Sequence, residues 1–171
     1  TLAQLAANQM VTLMTITGCV GIDIDYEPVG QACIPANMAL ICQKTYTAVK
    51  AVNSSYQLHL TLVPALTLAD TNLRIATAVA CAPYVDQINI MTYDDPNNLY
   101  VPNYQPGDIP VYQHSGVARS VQSVQWFINA GVPYNKIGMG VAGYGRDTAS
   151  EAAAFTNTGA VYDQIVRTAD G

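Results

Sequence analysis

Three carboxylates lie two residues apart in the segment Gly21 to Glu27, whose sequence is GIDIDYE. Successive side chains of a β-strand point to opposite faces, so Asp23, Asp25 and Glu27 would share one face. Neighbours on that face lie about 6.7 Å apart. At an effective dielectric constant of about 20, each charged pair would repel by roughly 2.5 kcal/mol, which favours a proton on one of the three near neutral pH. Such a carboxyl group can act as a general acid.

A second segment, QINIMTYD, places a hydroxyl and a carboxylate at the end of another predicted strand. Asn89, Met91 and Tyr93 would share one strand face, with Asp94 directly after them. The alternatives are structural. The acidic strand could be the solvated face of an antiparallel sheet, and Tyr93 could be a buried tyrosine with a bonded hydroxyl group.

A third segment, GVPYNKIGMGVAGYGR, ends in Tyr144 and Arg146 and is unusually rich in glycine for a strand. Glycine within a strand often marks the close approach of a ligand or of another backbone. This segment therefore favours a binding site over a solvated face.

The elements that must position these residues alternate between helix and strand. The periodicity predicts helices over residues 1–16, 36–52, 70–80 and 117–129, and strands over residues 19–26, 58–63, 87–93 and 137–141. This alternation indicates parallel βα units in an α/β sheet or barrel. The carboxyl ends of such strands usually carry the chemistry, and the polar residues above fall there.

Composition narrows the class of partner. Charged residues make up only 11% of the 171 residues, and the net charge is −5 without a cluster of basic residues. Nucleic acid and anionic membranes are therefore not expected as partners, whereas uncharged ligands suit such a surface. No apolar stretch approaches the roughly 18 residues of a membrane span.

Cysteine and histidine patterns do not predict a metal site. The four cysteines show no CxxC spacing, and the chain has only two histidines. Cys33 and Cys42 could form a disulfide in an oxidising compartment, but small buried thiols are the favoured interpretation. His59 is expected to be an interior histidine, and Trp126 a core residue of its helix rather than a sugar platform.

In combination and order, the three segments resemble the chitinase-like family 18 glycoside hydrolases. That family has a strand-four signature DxxDxDxE, a strand six ending in MxYD, and a glycine-rich strand seven ending in YGR. Val20 stands where the signature has its first aspartate. The resemblance implies a (β/α)8 TIM barrel, of which this chain covers about strands 4 to 7. Residues 1–171 would be part of a single catalytic domain, and an insertion could begin after residue 146.

The resemblance also implies site roles. Glu27 would be the general acid, and Asp23 and Asp25 its supporting carboxylates. The substrate's own 2-acetamido oxygen would attack the anomeric carbon, so neither an enzyme nucleophile nor a metal or cofactor is needed. Asp25 would orient the acetamido NH group, and Tyr93 would hydrogen-bond to the acetamido oxygen.

Further residues would bind the substrate by the same resemblance. Met91 would line the pocket for the acetyl methyl group. Asp94 would hold a sugar hydroxyl group or the acid itself. Tyr144 and Arg146 would bind neighbouring sugars.

The predicted function is retaining hydrolysis of β-1,4 linkages between N-acetylglucosamine units in chitin or chitooligosaccharides, by a secreted protein. The alternatives are an endo-β-N-acetylglucosaminidase acting on glycoprotein glycans, a non-catalytic chitin-binding lectin, and a purely structural piece of a barrel. Half a barrel leaves open sheet edges, so we expect the remainder of the same polypeptide to complete it.

Overall fold

The computed structural model describes residues 1–27, 34–65, 71–93, 115–146 and 159–161. The helices are α1 (Leu2–Thr17), α2 (Pro35–Val52), α3 (Ala76–Cys81) and α4 (Val117–Asn129). The strands are β1 (Gly21–Tyr26), β2 (Gln57–Leu62), β3 (Gln87–Ile90), β4 (Ile137–Met139), β5 (Tyr144–Arg146) and β6 (Gly159–Val161). A π-helical turn, Thr71–Ile75, leads into α3, and 3-10 turns at Ala82–Tyr84 and Tyr134–Lys136 precede β3 and β4.

Local chemistry fixes where the helices begin and end. Helix α1 ends at Gly18, whose φ of 71° is left-handed and costs glycine little. The backbone N–H of Gly18 donates to the carbonyl groups of Met14 and Thr15, and the chain then turns into β1. Helix α2 begins with Pro35, which has a suitable φ and no N–H group to leave unpaired.

Strands β1 to β4 form one parallel sheet in sequential order. In this register, residues on one face of neighbouring strands lie side by side. Asp25 pairs with Thr61, Thr61 with Asn89, and Asn89 with Gly138. Among the described strands, β1 and β4 form the two edges of this sheet. Helices connect or flank the strands, which confirms the predicted α/β class.

One face of the sheet is apolar and packs against the helices. Leu58, Leu60 and Leu62 of β2 are buried, as are Ile88 and Ile90 of β3. They form one core with residues of the helices, among them Met38, Cys42 and Phe127. Because side chains alternate along each strand, burying these residues directs the polar ones to the opposite face.

Several predicted details need correction. Strand β3 ends at Ile90 rather than at Tyr93, because the N–H of Thr92 bonds to the Ile90 carbonyl and the N–H of Tyr93 to the Met91 carbonyl. Residues 144–146, expected at the carboxyl end of the fourth predicted strand, form the separate strand β5 and pair antiparallel with β6.

The cysteine prediction holds for two of the three described thiols. Cys42 and Cys81 are buried thiols and Cys19 is an exposed one just beyond α1, and none of the three is in a disulfide within the described ranges. Cys33, and with it the possible disulfide, lies outside the described residues. None of the helices in the described ranges has the length and hydropathy of a membrane span.

Candidate active site

Strand β1 carries the acidic segment on the face away from the helices. Asp23 and Asp25 are exposed on this face, and Glu27 is exposed directly after the carboxyl end of the strand. Ile22 and Ile24 are partly buried and pack against the core on the other face. The predicted separation of acidic and apolar residues is therefore confirmed for the strand itself.

Asp23 is the end of a chain of side-chain hydrogen bonds that crosses three strands. The hydroxyl group of Thr61 donates to Asp23 Oδ2 over 2.7 Å. Asn89 Nδ2 donates to Thr61 Oγ1 over 3.3 Å, and Gln87 Nε2 donates to Asn89 Oδ1 over 2.6 Å. We call these four side chains the donor ladder. Sequence reasoning placed Asn89 on this face but assigned no role to Thr61 or Gln87.

Glycines of the third segment make room for polar side chains. A Cβ atom on Gly138 would lie 2.7 Å from Asn89 Oδ1 and 2.7 Å from Gln87 Nε2. A Cβ atom on Gly140 would lie 2.7 Å from Tyr93 Cε1. The expected close approach of another backbone is found at Gly140, where the Ile90 carbonyl oxygen would lie 3.0 Å from the Cβ atom, whereas at Gly138 the close neighbours are side chains of the adjacent strand.

Backbone ties hold Tyr93 near the end of β4. The N–H of Gly140 donates to the Ile90 carbonyl over 2.8 Å, and the Thr92 hydroxyl group donates to the Gly140 carbonyl over 2.6 Å. Ser115 Oγ, just before α4, donates to the Thr92 carbonyl over 2.8 Å. The chain therefore leaves the sheet just before the half-buried Tyr93, where hydrogen bonds with Gly140 on one side and Ser115 on the other hold the backbone.

Helix α4 also supports the carboxyl end of β2. Ser123 is buried on this helix, and its hydroxyl oxygen accepts the N–H of Ala65 over 3.1 Å. Trp126 on the same helix packs against the core, which confirms its predicted role. The carboxyl ends of β2 and β3 are thus held by one helix.

The structure does not describe every predicted site residue. Met91 is half-buried beside the end of β3. Asp94 lies outside the described residues, and Tyr144 and Arg146 are described only as backbone in β5. His59 is half-buried and lies beside Asp23 and Gln87 in the sheet register. No group of three metal-ligating side chains occurs within the described ranges.

Comparisons with known proteins place this geometry in context. The family model of glycosyl hydrolases family 18 matches residues 2–169. A curated relative, chitinase 1 of Aphanocladium album, is 30% identical over 147 residues, which cover 82% of this chain and 34% of the relative.

Solved structures show the same fold. The chitinase domain of the spore coat protein CotE from Clostridium difficile superimposes with a TM-score of 0.64 at 24% identity, covering 96% of this chain and 47% of that one. A family 18 N-acetylglucosaminidase from Paenibacillus barengoltzii gives 0.61 at 25% identity, covering 83% and 44%. The chain thus spans about a third of the curated relative and about half of the solved structures, as expected for part of a TIM barrel.

Proposed function

Because this chain belongs to the family 18 glycosyl hydrolases, we propose that the protein carrying it is a retaining glycosidase. Its substrate would be a β-1,4-linked polymer or oligomer of N-acetylglucosamine, that is, chitin or a chitooligosaccharide. The observation that carries the proposal is the shared placement of the acidic segment and Tyr93. The acidic segment lies on and just beyond β1, and Tyr93 lies just beyond β3, so both are at the carboxyl edge of the same parallel sheet with only β2 between them.

Glu27 is the proposed general acid. It would protonate the glycosidic oxygen as the leaving group departs. Its position one residue beyond β1 gives its side chain access to a bound sugar, whereas Asp23 and Asp25 are fixed within the strand. Such proton transfer contributes about 10²- to 10⁴-fold to the rate of an enzymatic reaction.

The substrate would supply its own nucleophile. In substrate-assisted hydrolysis the 2-acetamido oxygen attacks the anomeric carbon, forming a cyclic intermediate that water then opens with retention. Asp25 would accept the acetamido N–H and stabilise the positive charge that develops there. Tyr93 would donate its hydroxyl group to the acetamido oxygen and hold it in line. The ties around Gly140 support this role because they restrict where the ring can lie.

Substrate binding would extend beyond the reacting sugar. Met91 would line the acetyl pocket, and Asp94 would hold a sugar hydroxyl group or the acid. Tyr144 and Arg146 would bind neighbouring sugars. The remainder of the same polypeptide would complete the barrel, and an insertion could follow residue 146. We also expect the protein to be secreted and to need neither metal nor cofactor.

A second candidate is an endo-β-N-acetylglucosaminidase acting on glycoprotein glycans. The similarity to a structure described as an N-acetylglucosaminidase keeps this activity open. A chitin-binding lectin is disfavoured because the acid, Glu27, is present.

Substitution of the acid tests the proposal. The full-length protein should hydrolyse a fluorogenic chitobioside, and Glu27→Gln should lower kcat by at least about 10²-fold while binding of a chitooligosaccharide persists. Unchanged turnover in Glu27→Gln would show that another residue is the acid. Saturable binding without turnover in the wild-type protein would instead identify a lectin. Cleavage of glycoprotein glycans in preference to chitooligosaccharides would identify the second candidate.

A further inference from the structure

The hydrogen bonds of the donor ladder all run in one direction. Gln87 donates to Asn89, Asn89 donates to Thr61, and Thr61 donates to Asp23. The chain begins near the start of β3, crosses β2 and ends on β1. Each member lies on the polar face of the sheet, whereas the residues between them point into the core.

The direction of the ladder determines the orientation of its last member. A threonine hydroxyl group has one proton to donate. Because Asn89 already donates to Thr61 Oγ1, the hydroxyl proton is free for Asp23 Oδ2. The Asp23 carboxyl group accepts this hydrogen bond, which fixes the direction in which it turns. Chained hydrogen bonds also polarise one another, which strengthens the last of them.

The neighbouring strand leaves space for the ladder. The two amide groups lie where a side chain at position 138 would begin, since a Cβ atom there would come within 2.7 Å of both. Because Gly138 of β4 has no side chain, the amide groups of Gln87 and Asn89 on β3 can occupy this space and bond to each other. The ladder is therefore supported by three neighbouring strands and a fourth that makes room for it.

We propose that Thr61, Asn89 and Gln87 are positioning residues that hold the Asp23 carboxyl group turned towards β2. The proposal rests on the hydrolytic function proposed above. Asp23 and Asp25 share one face of β1, so an Asp23 carboxyl group held towards β2 leaves the space beside Asp25 and Glu27 to the substrate.

Kinetics of the full-length protein test the role. Thr61→Val keeps the shape of the side chain but removes the donor, and we expect kcat on a fluorogenic chitobioside to fall roughly tenfold with KM changed less than about twofold. Thr61→Ser keeps the hydroxyl group and should retain kcat within about threefold. Gly138→Ala, which pushes the amide groups apart, should lower kcat as Thr61→Val does. Equal losses in Thr61→Val and Thr61→Ser, or a loss confined to KM, would overturn the proposal.

NMR spectroscopy tests the donor ladder independently of the hydrolytic function. The side-chain amide signals of Asn89, followed by nitrogen-15 NMR, should shift on Asp23→Asn in the wild-type background. With Thr61→Val in place the same change should leave them unmoved, because the connection is cut. Asn89 signals that do not shift on Asp23→Asn, or that shift equally in the wild-type and Thr61→Val backgrounds, would refute the donor ladder. Absence of hydrolysis in the wild-type protein would refute the proposed function, while the NMR result still decides the ladder.

Discussion

Alanine at position 140 should displace the phenol ring of Tyr93. The added Cβ atom would lie 2.7 Å from Tyr93 Cε1 and 3.0 Å from the Ile90 carbonyl oxygen. The backbone of Gly140 is outside the left-handed region, so alanine can adopt its conformation. The effect of Gly140→Ala therefore comes from contact alone.

The size of the effect follows from those distances. Ordinary contacts of a Cβ atom begin at 3.4 Å, so the ring must retreat by about 0.7 Å in a region tied down by backbone hydrogen bonds. Misplacement of a catalytic group by about 1 Å can cost 10²-fold in rate. We therefore expect Gly140→Ala to lower kcat by about 10- to 100-fold. The overpacking should also lower the free energy of unfolding by about 1–3 kcal/mol.

The assay is kcat and KM of the full-length protein on a fluorogenic chitobioside, with thermal melting recorded alongside. Gly143→Ala is the matched control. It lies in the same glycine-rich stretch, has no left-handed φ, and a new Cβ atom there would meet no atom of the described residues within 4 Å. We expect its kcat and melting temperature to stay near those of the wild-type protein.

A double-mutant cycle shows whether the effect acts through Tyr93. In a Tyr93→Phe background the hydroxyl group is already lost, so Gly140→Ala should cost less than about threefold further in kcat. If Gly140→Ala leaves kcat within twofold of the wild-type value, or if its effect is undiminished beside Tyr93→Phe, the argument from ring position is wrong.

Two predictions concern stability, measured as the free energy of unfolding in urea. Thr45 is fully buried in α2, and its hydroxyl group has no hydrogen-bond partner among the described residues. Thr45→Val should therefore raise the free energy of unfolding by about 1 kcal/mol. The control, Thr47→Val on an exposed face of the same helix, should change it little. Lys50 Nζ lies 2.9 Å from Asp86 Oδ2, and both side chains are largely buried. Lys50→Met should therefore lower the free energy of unfolding by about 1–2 kcal/mol. Lys44→Met on the same helix is the control. A loss in Thr45→Val, or equal effects of the two lysine substitutions, would contradict these expectations.

Much of the fold follows from the spacing of residues along the chain. The leucines of β2 alternate with polar residues, and so do the isoleucines of β1 and β3. Such alternation predicts both the strands and the face that the helices cover. The ends of the strands were less predictable. Tyr93 continues the alternation of β3, but its N–H bonds to Met91 within its own segment, and no pattern of residue types encodes that turn.

The candidate site divides in the same way. Asp23, Asp25 and Glu27 share a motif within a single strand, so their common face could be predicted. Thr61 could not be recognised as a partner of Asp23, because their contact depends on the register between strands whose residues are 38 positions apart. Alternating polar residues indicate that side chains on the polar face of neighbouring strands will lie close together. They do not indicate which pairs will form hydrogen bonds.

Closure of the barrel should govern the chemistry of the acidic face. On the described part of the chain Asp23, Asp25 and Glu27 are exposed, and water weakens the repulsion between neighbouring charges about fourfold relative to a partly enclosed site. The strand therefore supplies the geometry of the acidic face, while enclosure supplies the lower dielectric constant that strengthens the interactions between its carboxylates. The donor ladder differs, because its hydrogen bonds join strands within this chain. Asp23 can accordingly be oriented before the barrel closes, whereas the electrostatic coupling between Asp25 and Glu27 strengthens only when the remaining strands cover them.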